Sequence, residues 1–172
     1  MKSIKNTIQV AVLVLFTVII FNPSAAQGQF FYMENEDVGK PVKDFTLKIV
    51  NGEETSLEKF RDGKKAVVFF WATWCPHCRA QLGKLNKDRA AIEEKDVKIV
   101  LVDVGESEAV AAKYKEKNNI GFDIFLDENS EVSDAYGLIG VPTFYYVGED
   151  GIVVDVQHSL TDDIDKIFAK SK

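Results

Sequence analysis

Apolar residues in this chain come in short runs, set apart by polar stretches that contain Gly, Asn and Asp. Residues 67–72 and 97–104 are nearly continuous in apolar side chains, the pattern of strands buried on both faces of a sheet. Residues 45–50 read as an earlier strand, with Asn51-Gly52 as its turn and Ser56 as the N-cap of a short helix carrying Leu57 and Phe60. Beyond residue 72 the spacing predicts a helix over 76–94, with Leu82, Leu85 and Ile92 inward, and another over 106–118, with Val110 and Tyr114 on one face. A strand over 122–126, a short helix over 130–135 and a hairpin of 144–147 with 152–156 follow. Thr161 is placed to cap a last helix with Ile164, Ile167 and Phe168 inward. Strand and helix alternate, which predicts an α/β fold with a mixed central sheet between layers of helix.

The first 26 residues carry a different pattern. Lys2 and Lys5 precede an apolar run over 8–21, which Asn22-Pro23 breaks ahead of Ser24-Ala25-Ala26. The run is shorter than the roughly 18 to 20 residues of a spanning helix, and Ser24 and Ala26 are small residues at the −3 and −1 positions of a cleavage site. This layout predicts a signal peptide over 1–26 with cleavage after Ala26, and an uncleaved membrane anchor is the alternative. Lipidation at a lipobox is excluded, because no cysteine precedes Cys75. Residues 27–37 read as a flexible lead-in, and 38–172 as a single domain.

The formal charge of −6 would become −8 on loss of Lys2 and Lys5. Such a surface does not favour nucleic acid or anionic membrane, both of which attract basic proteins. The remaining length buries a core without disulfide staples, so the two cysteines of this exported chain are free for chemistry.

Those cysteines lie in Trp71-Ala72-Thr73-Trp74-Cys75-Pro76-His77-Cys78-Arg79, where a strand turns into a helix. Pro76 suits the first helical turn, so Cys75 falls at a helix N-terminus, where unpaired N–H groups and the helix dipole stabilise a thiolate. Three plainer readings compete with a reactive pair. A structural disulfide across so short a loop removes little unfolded-state entropy. Zinc would want four Cys or His ligands, and only Cys75, Cys78, His77 and the distant His158 are on offer, so no metal is expected. The Pro-x-x-x-Thr-x-x-Cys pattern of peroxide-reducing enzymes would need Pro at Val68 and Thr at Ala72.

Together with Gly39-Lys40-Pro41-Val42-Lys43-Asp44-Phe45 and Tyr136-Gly137-Leu138-Ile139-Gly140-Val141-Pro142-Thr143, this motif resembles the exported thioredoxin-fold thiol-disulfide oxidoreductases of the TlpA/ResA type. The resemblance covers about residues 38–169. It implies a thioredoxin fold with an added strand and helix between about Asp103 and Leu126, and a reaction that needs no cofactor. Cys75 is then the attacking or leaving sulfur and Cys78 the resolving one. Pro76 and His77 tune the pair. Pro-His is the DsbA-type dipeptide, and an imidazole that stabilises the thiolate makes the disulfide more oxidising. Known pairs span about 150 mV, roughly 7 kcal/mol, between thioredoxin and DsbA. Val141, Pro142 and Thr143 resemble the cis-proline loop that receives an extended client by strand addition. Trp74 is the better candidate for client contact and Trp71 for core, while His158 reads as a surface residue without a partner.

The resemblance implies a reductase of exported protein disulfides, fed by a membrane-bound redox partner, in a role such as cytochrome c maturation in a bacterial periplasm. Two departures tilt toward a DsbA-like oxidase or isomerase. Phe69 stands where thioredoxin has a buried aspartate, and Gln81 where many relatives have a glutamate, so neither can take a proton. Gly83 replaces the proline that kinks the helix in relatives. A non-enzymatic client-binding module is the third reading, and the intact motif argues against it.

Overall fold

A computed structural model describes residues 35–169, and the proposed signal peptide lies outside them. Among the described residues the strands form one seven-stranded sheet in the order β2-β1-β5-β4-β3-β6-β7. Its centre is β3 (Lys65–Trp71), parallel to β4 (Val97–Val104), which is parallel in turn to β5 (Ile124–Asp127). On one side β6 (Thr143–Val147) runs antiparallel to β3, and β7 (Val153–Gln157) antiparallel to β6. On the other, β1 (Thr46–Ile49) runs antiparallel to β5, with β2 (Glu54–Ser56) at the edge. β2 is an element the sequence reading lacked: Glu54, Thr55 and Ser56 have no apolar alternation, and they are held by pairing with β1 rather than by burial.

Alternation along the central strands divides the core into two layers. Val67, Phe69 and Trp71 of β3 and Ile99 and Leu101 of β4 meet α2 (Pro76–Lys87), α3 (Arg89–Glu93), α4 (Glu108–Lys117) and α6 (Ile164–Phe168) through Leu82, Leu85, Ile92, Ala111, Ile164, Ile167 and Phe168. Ala66, Val68, Phe70, Val100 and Val102 face the opposite layer. There Leu57 of α1 (Leu57–Arg61), Val132 of α5 (Glu131–Ala135) and Tyr136, just past α5, close over them. The expected three layers are present, with helices on both faces of a mixed sheet.

Three helix boundaries differ from the sequence reading. The helix expected over 76–94 is two: Asp88, with φ −91° and ψ 10°, interrupts it, and α3 still carries Ile92 to the core. The next helix starts at Glu108 rather than Glu106, because the Glu106 carboxylate is turned back to accept hydrogen bonds from Thr73. Its inner face holds Ala111 and Tyr114, while Val110 is exposed. The last helix is capped by Asp163, whose carboxylate accepts the Lys166 N–H at 3.2 Å. Thr161 instead accepts the Asp163 N–H through its hydroxyl.

Candidate active site

β3 ends at Trp71, and four residues later the chain enters α2 with Cys75 at the N-cap. Pro76 occupies the first turn, where its missing N–H removes no helical bond. Cys75 and Cys78 are joined as a disulfide, and the Cys78 N–H points at the Cys75 sulfur from 3.1 Å. An N–H aimed at that sulfur is placed to stabilise negative charge when the bond opens. Both cysteines are buried, and they differ slightly in access: Cys75 keeps 5% of its residue surface and Cys78 none. His77 and Pro76 are exposed on the outer side of the turn, and Trp74 stands 65% exposed beside Cys75.

The loop before β6 faces the pair. The Val141–Pro142 peptide bond is cis, and the Val141 carbonyl oxygen lies 3.8 Å from the Cys75 sulfur. The Thr143 hydroxyl donates to the Gly140 carbonyl at 2.8 Å and bridges the loop internally. Cys75, Cys78, Val141, Pro142 and Thr143 thus converge although 66 residues separate Cys75 from Val141. Ile139, on the same loop, is fully exposed.

Trp71 lies in the core and Trp74 at the surface. Trp71 packs on Tyr114 of α4, with ring centroids 5.3 Å apart. His158 is at the surface, as read from the sequence, but it is not without partners. Its Nδ1 lies 3.2 Å from both the Pro142 carbonyl and the Thr143 hydroxyl of the cis-proline loop. Sequence offered no signal for this, since the contact is made by the antiparallel return of β7 beside β6.

The positions without carboxylates have definite occupants. Phe69 stacks on Phe144, centroids 4.2 Å apart, and the Gln81 side-chain oxygen accepts the Leu160 N–H at 3.1 Å. Two other carboxylates lie at this end of the sheet. Glu106 accepts from the Thr73 hydroxyl at 2.7 Å and from the Thr73 N–H, gripping the connection between β3 and α2. The Arg79 guanidinium donates to the Thr73 carbonyl from the other side. Asp103 is wholly buried at the end of β4. Burial first, and the like charge of Glu106 next, push its carboxyl up to about 8. A charged residue within the apolar run 97–104 was a visible signal for it.

A disulfide at a helix N-terminus, its first cysteine only just reached by solvent and its second fully buried, faced by a backbone carbonyl on a cis-proline loop, is an arrangement for thiol-disulfide exchange. The profile of the AhpC/TSA family matches residues 38–156. The chain belongs to that family. Within it, the relatives are thiol-disulfide oxidoreductases called ResA. The one from Geobacillus thermodenitrificans is 31% identical over 147 residues, covering 82% of this chain and 84% of the relative. The one from Oceanobacillus iheyensis is 34% identical over 128 residues, covering 72% and 67%. StoA from Bacillus subtilis has the same fold at a TM-score of 0.61, with 25% identity over 78% of this chain and 99% of StoA. A DsbE-like thiol:disulfide interchange protein from Chlorobium tepidum superposes at 0.68, 24% identical, over 78% of this chain and 95% of that one. This AhpC/TSA member is a thioredoxin-fold thiol-disulfide oxidoreductase of the TlpA/ResA type, acting on protein thiols and disulfides.

Proposed function

We propose that Cys75-Pro76-His77-Cys78 is the redox-active center and that the protein works outside the cytoplasm as a reductase of client disulfides. Cleavage after Ala26 would release it to the periplasm, and an uncut segment would tether it there. The observation that carries the reading is the difference between the two cysteines: both are buried, but Cys75 sits at the helix N-cap beside the Val141 carbonyl and keeps a trace of exposed surface, whereas Cys78 keeps none. A Cys75 thiolate attacks a client disulfide, one client sulfur leaves, and a mixed disulfide forms. Cys78 then attacks Cys75, releasing the second client sulfur and restoring the Cys75–Cys78 bond. Electrons return from a membrane-bound dithiol partner, and cytochrome c maturation is the role in which such a reductase keeps client cysteines open. Trp74 and the backbone of Val141, Pro142 and Thr143 receive the client as an added strand.

A second reading, oxidase or isomerase, is favoured by His77 beside the pair and by the apolar or amide groups at Phe69 and Gln81. The reduction potential, measured by equilibrating the purified protein with glutathione buffers, separates the two. A value near −270 mV supports the reductase, and one above roughly −180 mV the oxidase or isomerase. Cys78→Ser is expected to accumulate mixed disulfides with clients through Cys75. Absence of any trapped client would overturn both readings.

A further inference from the structure

Asp103 breaks the apolar run of β4 at the end nearest the cysteines. Its register partners are Trp71 on β3 and Leu126 on β5. By alternation it shares with Ile99 and Leu101 the sheet face that α2 covers, the face that also holds Cys75 and Cys78. It is wholly buried, and among the described residues neither carboxyl oxygen, nor the indole nitrogen of its neighbour Trp71, has a hydrogen-bond partner of good geometry, the Glu106 carboxylate being the one polar side chain close enough to act on it. A carboxyl group in that position destabilises the fold, and packing alone does not call for one.

The redox pair calls for a proton. Cys78 has no exposed surface, so a thiolate left on it when the disulfide opens would be a charge in an apolar layer. Phe69 and Gln81 cannot serve, being an apolar ring stacked on Phe144 and an amide tied to Leu160. Among the described residues, Asp103 is the buried carboxyl on this face.

We propose that Asp103 is a positioning residue of the redox centre, a proton-holding group that binds a proton when the Cys75–Cys78 pair is reduced and releases it when the disulfide re-forms. This rests on the reading of that pair as redox-active. The exchange with a donor dithiol balances as follows. Two electrons and two protons leave the donor, whose sulfurs join, and the Cys75–Cys78 bond breaks. Above the midpoint of the oxidised protein, where Asp103 is a carboxylate, one proton goes to Cys78 and the other to Asp103 while Cys75 remains a thiolate; below it Asp103 already holds its proton and the second donor proton goes to water. The new negative charge on Cys75 favours the neutral form of Asp103, which couples the two events.

The charged and titratable groups around Asp103 are few. Glu106, from the β4–α4 connection, adds like charge. Tyr114 of α4 lies over Trp71, and Arg79 of α2 is fixed to the Thr73 carbonyl and acts on Tyr114. Trp71 and Leu126 on the flanking strands do not titrate. With burial and Glu106 holding its carboxyl near 8, Asp103 changes charge close to neutral pH rather than in acid.

The test uses the full chain with carboxyl carbons labelled with ¹³C, and follows the Asp103 resonance from pH 6 to 10 in the oxidised and the reduced protein. The expected result is a titration midpoint that rises on reduction by about one pH unit or more. Between the two midpoints the glutathione equilibrium constant should change tenfold more per pH unit than outside them, about 30 mV. Asp103→Asn should lose that extra slope, whereas Glu106→Gln should move both midpoints down and keep it. The same midpoint in both redox states overturns the proposal, and so does an extra slope that survives in Asp103→Asn. The resonance titration is made on the unaltered protein, so it stands even if a variant fails to fold. Cysteines that do not equilibrate with glutathione at all overturn the redox-active reading along with it, whereas normal equilibration with an indifferent Asp103 overturns this proposal alone.

Discussion

The Nδ1 of His158 sits between two oxygens that cannot both be ignored. The Pro142 carbonyl only accepts, and the Thr143 hydroxyl has already donated its hydrogen to Gly140, so Nδ1 must carry the proton. The neutral Nδ1–H tautomer and the imidazolium both meet that requirement, and the contact holds whichever form is present. His158 therefore steadies the cis-proline loop, the edge proposed to receive a client, without entering the sulfur chemistry. For His158→Ala we expect mixed-disulfide formation with a peptide client to slow about five- to tenfold, the loss of roughly one hydrogen bond. The glutathione equilibrium should stay within about twofold of the parent. A shifted equilibrium with unchanged client kinetics would contradict this assignment. Residue by residue, the sequence made Cys75, Cys78 and Pro142 legible because local chemistry marks them: a helix N-terminus, a first-turn proline, a Gly-Val-Pro-Thr loop. It hid His158 and Glu106, whose partners are 15 and 33 residues away and reach them only through strand return.

Among the elements, α1 shows how a short helix is held from outside itself. Arg61 is almost wholly buried, and its guanidinium pairs with Glu58 at 2.8 Å while donating to the carbonyls of Lys64 and Glu149, each at 3.1 Å. This pins the helix to the turn between β6 and β7. Gly151 in that turn has φ +78°, and a Cβ there would lie 3.0 Å from the guanidinium, so neither residue tolerates a larger neighbour. Arg61→Ala leaves buried carbonyls unpaired and should lower unfolding stability by about 1–3 kcal/mol in urea titration. Lysine at the same position should recover little, since a point charge cannot fork to three acceptors. Strands 65–71 and 97–104 were readable because burial on both faces leaves an unbroken apolar run. The break at Asp88 was not, because Leu82, Leu85 and Ile92 keep helical spacing through it.

At the scale of the molecule, the fold carries an uncompensated carboxyl in its core and its stability must depend on pH accordingly. Asp103 holds its proton to about pH 8 when folded but gives it up near 3.8 when unfolded. The contribution of this group is therefore full below about pH 4, falls as pH rises through the interval, and levels off above 8, with a slope of at most about 1.4 kcal/mol per pH unit. Asp103→Asn should melt at the same temperature as the parent near pH 4 and at an increasingly higher one toward pH 8, as followed by calorimetry at successive pH values. A constant gap across that range would show that the carboxyl does not titrate there. The alternation of strand and helix predicted this three-layer architecture, yet the order of strands could not be read from the chain, because pairing such as β1 with β5 joins segments that no local pattern connects.

That long-range pairing also orders events during synthesis. β3 and α2 emerge with both cysteines well before β6 brings the loop that faces them, since Val141 follows Cys75 by 66 residues. Until the later strand docks, the nascent chain has two thiols at the end of a half-built sheet, without the Val141 backbone that faces Cys75 in the finished fold. The two cysteines thus exist as part of the chain long before the backbone that faces them, and the arrangement around the pair is complete only when β6 has been made and docked.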